Sequence, residues 1–399
     1  MKRLALALAL SLLGCESTGL SPLVEEEVTY ECPSRPPSGR PRMLIVDTQL
    51  DPTLPELAPS IAGCYRFECD DAGESCAVVP GVKLRRRKTT RRTPPDPAAW
   101  NAALAQKRAP DGLVATMEYP IFGVGPEGDH GTAVASAAMY GLAGVDLLFL
   151  QVPLRRETEA IECPSASEID EEIRKATDPV ARAERVGAPL SPEEREYVEL
   201  MRRERIDVSN ESFGSSRPEL EVACPNLRWR EYFEAEGRVV REREAALDAQ
   251  GAFAGIAVTV VKAAGNDGAY VTSLADVDYC HEDRTGGFGA GSKTIVVGSY
   301  DVDDLTLSFF TNHGPCVDVY APGSRILVPD ANGILRLTYG TSLAAPLVTR
   351  LIATLPRDPP AATVARVRAL AKNKMLPLSL FPPGLLFDDK TTPRALPRR

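Results

Sequence analysis

Arg42-Met43-Leu44-Ile45-Val46-Asp47 is a short apolar run that ends on a carboxylate. A run of this kind fits a strand of a parallel sheet, which helices cover on both faces. Residues 145–153 read the same way, with Leu-Leu-Phe-Leu at their centre, and so do 207–212, 255–264 and 294–298. The longest of these strand signals is 255–264. Shorter strands are expected near 316–320 and 334–338. Between the strands lie helical patterns. One starts at His130 and is rich in small residues, Ala133, Ala135, Ala137 and Ala138, which allows close packing on a sheet. Residues 155–190 are charged and helical. Ser191-Pro192-Glu193-Glu194 is a helix start, with serine at the N-cap, proline at N1 and glutamate at N3, and that helix should run to about Arg205. Further helices are expected over 229–249, 342–354 and 361–372. Strands alternating with helices predict an α/β domain with a mainly parallel sheet.

The chain has 399 residues, 44% of them hydrophobic and 25% charged, which is ordinary for a folded globular protein. Its net charge of −9 argues against nucleic acid as a partner, since that role needs a basic surface. Only His130, His281 and His313 can supply an imidazole. Lys2 and Arg3 precede an apolar run from Leu4 to Leu13, too short to span a bilayer. Leu12-Leu13-Gly14-Cys15 then resembles the lipobox of bacterial lipoproteins. That resemblance implies lipidation of Cys15 and anchoring in the cell envelope, with Glu16 favouring the outer membrane. An ordinary secretory signal is the alternative; both imply export.

Nine cysteines agree with an oxidising compartment, and without Cys15 eight remain. Cys163 with Cys224 and Cys280 with Cys316 are the expected local disulfides. Cys32, Cys64, Cys69 and Cys76 would then pair around the first strand and the stretch after it. No CxxC pair occurs, so a zinc site is not indicated. Residues 16–42 are polar and proline-rich, as a tether would be. Residues 60–112 read as an insertion, and the seven basic residues between Lys83 and Arg92 as a solvated loop.

In open α/β sheets the chemistry gathers at the carboxyl ends of strands. Asp47 lies at such an end. His130 lies in Gly128-Asp129-His130-Gly131-Thr132 and Ser342 in Gly340-Thr341-Ser342-Leu343-Ala344-Ala345-Pro346, each at a helix start. Taken singly they read as a turn aspartate, a loop histidine and an N-cap serine. Together, in the chain order Asp, His, Ser, they match one known triad order, that of subtilisin. The local motifs agree: Met43 to Asp51, His130 to Ala135, Gly340 to Pro346, Ala263-Ala264-Gly265-Asn266 and Val208-Ser209-Asn210-Glu211-Ser212-Phe213-Gly214. On these five segments the chain resembles the subtilisin-like serine proteases.

The resemblance implies a three-layer α/β fold with loop insertions and a serine endopeptidase activity. Asp47, His130 and Ser342 would be catalytic, and Asn266 the oxyanion donor. Ser212, Phe213, Gly214, Ala263, Ala264 and Gly265 would line the cleft for a protein or peptide substrate. It divides the chain into a signal segment (1–14), a tether (15–41), a peptidase domain (42–375, with insertions at about 60–112 and 155–205) and a tail (376–399). The chemistry needs no cofactor. Calcium is common in the family, but Asp301, Asp303 and Asp304 are too weak a cluster to assign a site. Gln49 stands where the family has glycine, and Leu343 where it has methionine. A catalytically silent module that binds peptides or proteins is the alternative function.

Overall fold

The computed structural model describes residues 25–69, 76–87, 130–152, 163–212, 224, 226–266, 293–314, 317–329 and 335–381. In chain order the strands are β1 (Glu25–Tyr30), β2 (Arg42–Asp47), β3 (Ile61–Cys69), β4 (Cys76–Pro80), β5 (Val82–Arg87), β6 (Asp146–Gln151), β7 (Val208–Glu211), β8 (Thr259–Ala263), β9 (Thr294–Tyr300), β10 (Val319–Pro322), β11 (Ile326–Pro329) and β12 (Leu335–Thr338). The helices are α1 (His130–Met139), α2 (Ala166–Thr177), α3 (Pro179–Val186), α4 (Pro192–Glu204), α5 (Trp229–Ala249), α6 (Thr341–Thr354) and α7 (Pro360–Leu370).

Eight strands form the central sheet in the order β10-β9-β8-β7-β2-β6-β3-β4. All neighbours are parallel except the edge pair β3–β4. Helices cover both faces, so β2, β6, β7 and β9 are buried along their whole length. The pleat splits the core. Met43 and Ile45 pack with α1 and α6 on one face, while Leu44 and Val46 pack with Tyr197, Leu200 and Met201 of α4 on the other. This is the three-layer α/β arrangement that the resemblance implies, around the mainly parallel sheet that the sequence pattern predicts. Chain order reverses at β2: β6 and β3 lie on one side, β7 to β10 on the other. The crevice at such a switch point lies beyond the carboxyl ends of β2 and β7, where Asp47 and Ser212 stand.

Local chemistry explains the helix starts. Ser191 Oγ accepts from the Glu194 N–H at 3.2 Å, and the Glu194 carboxylate accepts from the Ser191 N–H at 2.6 Å. Ser165 and Glu168 repeat this reciprocal cap at the start of α2. The alanines of α1 are all buried.

Some elements differ from the sequence expectation. Residues 61–69, inside the stretch read as an insertion, form β3 and join the central sheet beside β6. Inside the stretch read as a tether, β1 pairs antiparallel with β5, so that Glu25, Glu26 and Glu27 oppose Arg87, Arg86 and Arg85. Within this pair Lys83 Nζ lies 3.5 Å from Glu27 Oε1. Strand β8 begins at Thr259 rather than 255, because Gly255 takes a positive φ of 77° and ends a turn. Leu376 and Phe381, in the stretch read as a tail, are buried in the main core.

Two disulfides are present among the described residues. Cys163–Cys224 is the expected local pair, with Cα atoms 5.5 Å apart. Cys32–Cys64 joins the segment after β1 to β3. Cys15, Phe213, Gly214, Cys280, His281 and Cys316 lie outside the described residues.

Candidate active site

Asp47 ends β2 and is 1% exposed. Its Oδ1 accepts from the Thr48 N–H at 2.7 Å and lies 2.8 Å from His130 Nδ1. His130 is the first residue of α1, so the histidine and the strand-end carboxylate meet because α1 packs directly on β2. Gly131 makes that approach possible. A Cβ there would stand 2.6 Å from the Gln49 carbonyl oxygen, 2.7 Å from Phe149 Cζ and 3.0 Å from Asp47 Cβ. Thr132 then fixes the loop after Asp47: its Oγ1 accepts from the Asp51 N–H at 2.9 Å and faces the Gln49 carbonyl at 3.4 Å. Gln49, the departure from the family glycine, is accommodated fully buried.

Ser342 is the second residue of α6, in the first turn, where backbone N–H groups have no helical partner. Thr341 is tied to Asn266: its N–H and its Oγ1 both donate to Asn266 Oδ1, at 2.8 and 2.9 Å. The amide oxygen is thereby committed, and Nδ2 is the face left to act. A Cβ on Gly340 would stand 3.5 Å from Asn266 Nδ2 and 3.7 Å from the Ser342 nitrogen. Both donors therefore border the space this glycine leaves open. N–H donors beside a helix start are a setting that favours negative charge.

Ser212 meets Ser342 twice. Ser342 Oγ donates to the Ser212 carbonyl at 3.2 Å, and Ser212 Oγ donates to the Ser342 carbonyl at 3.0 Å. Gly265 spends its N–H on Thr341 Oγ1 at 3.1 Å and its carbonyl on the Asn312 N–H at 3.0 Å. Ala264 is buried, its N–H bonded to the Val297 carbonyl at 2.9 Å, while Ala263 ends β8 half-buried. The structure thus brings Asp47 to His130, and Ser212, Gly265 and Asn266 to the start of α6.

Sequence reasoning assigned no role to Thr341, Asn210, Glu211 or Lys262, although all lie in the quoted motifs or next to them. Glu211 and Lys262 face each other across β7 and β8, buried, with Lys262 Nζ 3.5 Å from Glu211 Oε2. Tyr197 OH donates to Glu211 Oε1 at 2.9 Å. Burial pushes the Glu211 carboxyl above its usual range, against the opposing pull of Lys262 and Tyr197. The same burial, with the Glu211 charge beside it, raises the Tyr197 phenol. Charged residues inside an apolar strand were the available signal.

The residues weighed for calcium are otherwise engaged. Asp301 Oδ1 and Asp304 Oδ1 accept from turn N–H groups, and Asp303 pairs with Arg325. Among the described residues no group of three such side chains converges to hold a metal ion.

Over 81 residues the chain is 37% identical to a subtilase-type proteinase of the sexual differentiation process in Schizosaccharomyces pombe, covering 20% of this chain and 17% of that protein. Over 98 residues it is 35% identical to subtilisin-like protease 3 of Arthroderma otae, covering 25% of this chain and 24% of that one. The matched segments therefore span less than a quarter of these curated relatives. Among solved structures, a cold-adapted subtilisin-like serine proteinase aligns over 84% of this chain and 83% of its own, at 17% identity and a TM-score of 0.38. The family model for the subtilases spans residues 44–394, from within β2 to beyond α7. A match over most of the chain, taking in the strand of Asp47, the helix of His130 and the helix of Ser342, makes this chain a member of the subtilase family of serine peptidases.

Proposed function

We propose that the chain is a serine endopeptidase that hydrolyses peptide bonds with Ser342 as nucleophile, His130 as base and Asp47 as the group that orients the imidazole. The observation that carries this is the 2.8 Å contact between His130 Nδ1 and the buried Asp47 carboxylate. A proton held on Nδ1 by that bond leaves Nε2 as the basic nitrogen. A serine hydroxyl is a poor nucleophile at neutral pH and needs such a base.

Ser342 Oγ attacks the substrate carbonyl carbon while His130 takes its proton. The hydroxyl has one proton, so attack requires exchanging its bond with the Ser212 carbonyl for one with His130. Asn266 Nδ2 and the Ser342 N–H donate to the oxyanion, and Asp47 stabilises the imidazolium. His130 then gives its proton to the leaving amine, and water hydrolyses the acyl-enzyme by the same steps. Substrate binds as an extended segment beside the ends of β7 and β8, with backbone bonds supplying affinity.

The test is labelling by a serine-directed fluorophosphonate, together with hydrolysis of an unfolded protein. Wild type should react in both and Ser342→Ala in neither. Hydrolysis by Ser342→Ala at the wild-type rate would remove the mechanism.

We further propose that Cys15 carries lipid and holds the peptidase in the bacterial envelope, at the outer membrane. The Leu12-Leu13-Gly14-Cys15 sequence supports this, and among the described residues no helix is long and apolar enough to cross a membrane. Cys15→Ser should move the protein from the membrane to the soluble fraction. Retention after a high-salt wash would refute the anchor.

A further inference from the structure

Pro346 lies inside α6 and has no N–H to donate. In an unbroken helix that N–H would bond the carbonyl of residue 342. The Ser342 carbonyl is therefore left without its helical donor, and Ser212 Oγ supplies one at 3.0 Å. Ser212 Oγ itself lies 2.8 Å from Asn210 Nδ2, and Asn210 Oδ1 lies 3.0 Å from Thr349 Oγ1. Thr349 is on α6, about two turns beyond Ser342. The polar contacts thus leave α6, pass through β7 and return to α6. Thr349 and Asn210 are 0% exposed and Ser212 is 4% exposed, so bulk solvent does not offer these groups ready substitutes.

Counting protons fixes the direction of the chain. A carbonyl only accepts, so Ser212 Oγ spends its single proton on Ser342. The Asn210 atom that faces Ser212 must then be a donor, which assigns it as Nδ2. Oδ1 consequently faces Thr349, and the Thr349 hydroxyl must donate to it. That hydroxyl has a competing acceptor, the Ala345 carbonyl at 3.1 Å, but Ala345 also receives the helical N–H of residue 349. Asn210 Oδ1 has no such second donor among the described contacts.

We propose that Thr349 and Asn210 are positioning residues for Ser342, acting through Ser212 on the carbonyl that Pro346 leaves free. The proposal rests on Ser342 being the nucleophile. Removing the Thr349 proton frees the Asn210 amide to turn, and a turned amide presents an acceptor to Ser212. Ser212 Oγ then gives its proton to Asn210 and releases the Ser342 carbonyl. The start of α6 loses its tie to β7, and with it the placement of the Ser342 hydroxyl and N–H.

The experiment measures kcat, KM, fluorophosphonate labelling rate and thermal melting for wild type, Thr349→Val and Thr349→Ser. Thr349→Val keeps the branched shape and removes the hydroxyl. It should lower kcat and the labelling rate about tenfold, with KM within about twofold, the size expected for one buried bond lost. Thr349→Ser keeps the hydroxyl and should restore both. Thr349→Ala is the second variant, since alanine is the best helix former. Pro346→Ala provides the decisive background, because it returns an N–H to the Ser342 carbonyl. There, adding Thr349→Val should change kcat by less than about twofold. A lower melting temperature with unchanged kcat in Thr349→Val, or the same tenfold loss in both backgrounds, overturns the proposal. A wild type that neither hydrolyses nor labels refutes the nucleophile itself and takes this proposal with it. A wild type that labels, beside an equally reactive Thr349→Val, refutes the positioning role alone.

Discussion

Arg350, on the helix that carries Ser342, donates through Nη1 to the carbonyl of Tyr140, the residue just past the helix that His130 begins. The same nitrogen reaches the Ala138 carbonyl at 3.4 Å. These carbonyls lie at the end of α1, where no helical N–H remains to serve them. One side chain therefore joins the two helices that bear Ser342 and His130. Arg350→Met keeps the aliphatic stem and removes the donors. Urea unfolding should show a loss of about 1–3 kcal/mol; an unchanged midpoint would mean that water serves these carbonyls equally well.

Asn266→Ala removes the Nδ2 donor and also the acceptor that holds Thr341. The expected outcome is a fall in kcat of about 10²–10³ with little change in KM, a magnitude taken from subtilisin rather than from this chain. Steady-state kinetics on a peptide substrate checks it. A rise in KM at constant kcat would instead make Asn266 a ground-state binding residue.

Gly131→Ala forces a methyl group into the Gln49 carbonyl and Phe149. Helix α1 must shift away from β2, and His130 with it. Overpacking of this kind costs about 1–3 kcal/mol. Activity should fall by more than the folded fraction does, because the contact with Asp47 lengthens. Parallel melts and rate measurements would separate the two effects.

Glu211 gives a pH signature. Its folded-state carboxyl is held above 4.5 by burial, so the folded protein binds that proton more tightly than the unfolded chain. Stability from this source is complete below the unfolded value and is lost as pH rises through the raised folded value. The melting temperature of wild type should therefore fall more steeply as pH is raised above 4.5 than that of Glu211→Gln. The variant also strips Lys262 of its partner, which displaces its curve but leaves the slope as the readout. Parallel slopes would refute the shift.

Cys69 and Cys76 are register partners on the antiparallel strands β3 and β4. Directly opposed residues in such a pair have Cα atoms about 4.5–5.5 Å apart, within disulfide reach. Non-reducing peptide mapping of protein from an oxidising compartment should recover the peptides bearing Cys69 and Cys76 as one linked species. Two free thiols there would refute the bridge.

The motifs around Asp47, His130, Asn266 and Ser342 were legible because each is local: a strand end, a helix start or a turn announces itself within a few residues. The contacts that hold them were not. Thr349 meets Asn210 across 139 residues and Arg350 meets Tyr140 across 210, distances over which one sequence carries no pairing signal. Strands β3 and β4 were obscured because their cysteines suggested a stapled loop, whereas Tyr65 and Phe67 alternate as strand residues do. Cys163 and Cys224 were legible as partners because they flank the charged helical insertion and the strand at 207–212 that follows it.

The Cys32–Cys64 disulfide has a mechanical consequence. A pull applied to the N-terminus first shears β1 against β5. At Cys32 the tension crosses the disulfide into β3, bypassing residues 33–63. Strand β2 lies within that bypassed loop, so the covalent path from the N-terminus to β3 does not run through Asp47. A peptidase held by its N-terminus to a moving surface would keep its carboxylate in register with His130 while the outer strands absorb the tug.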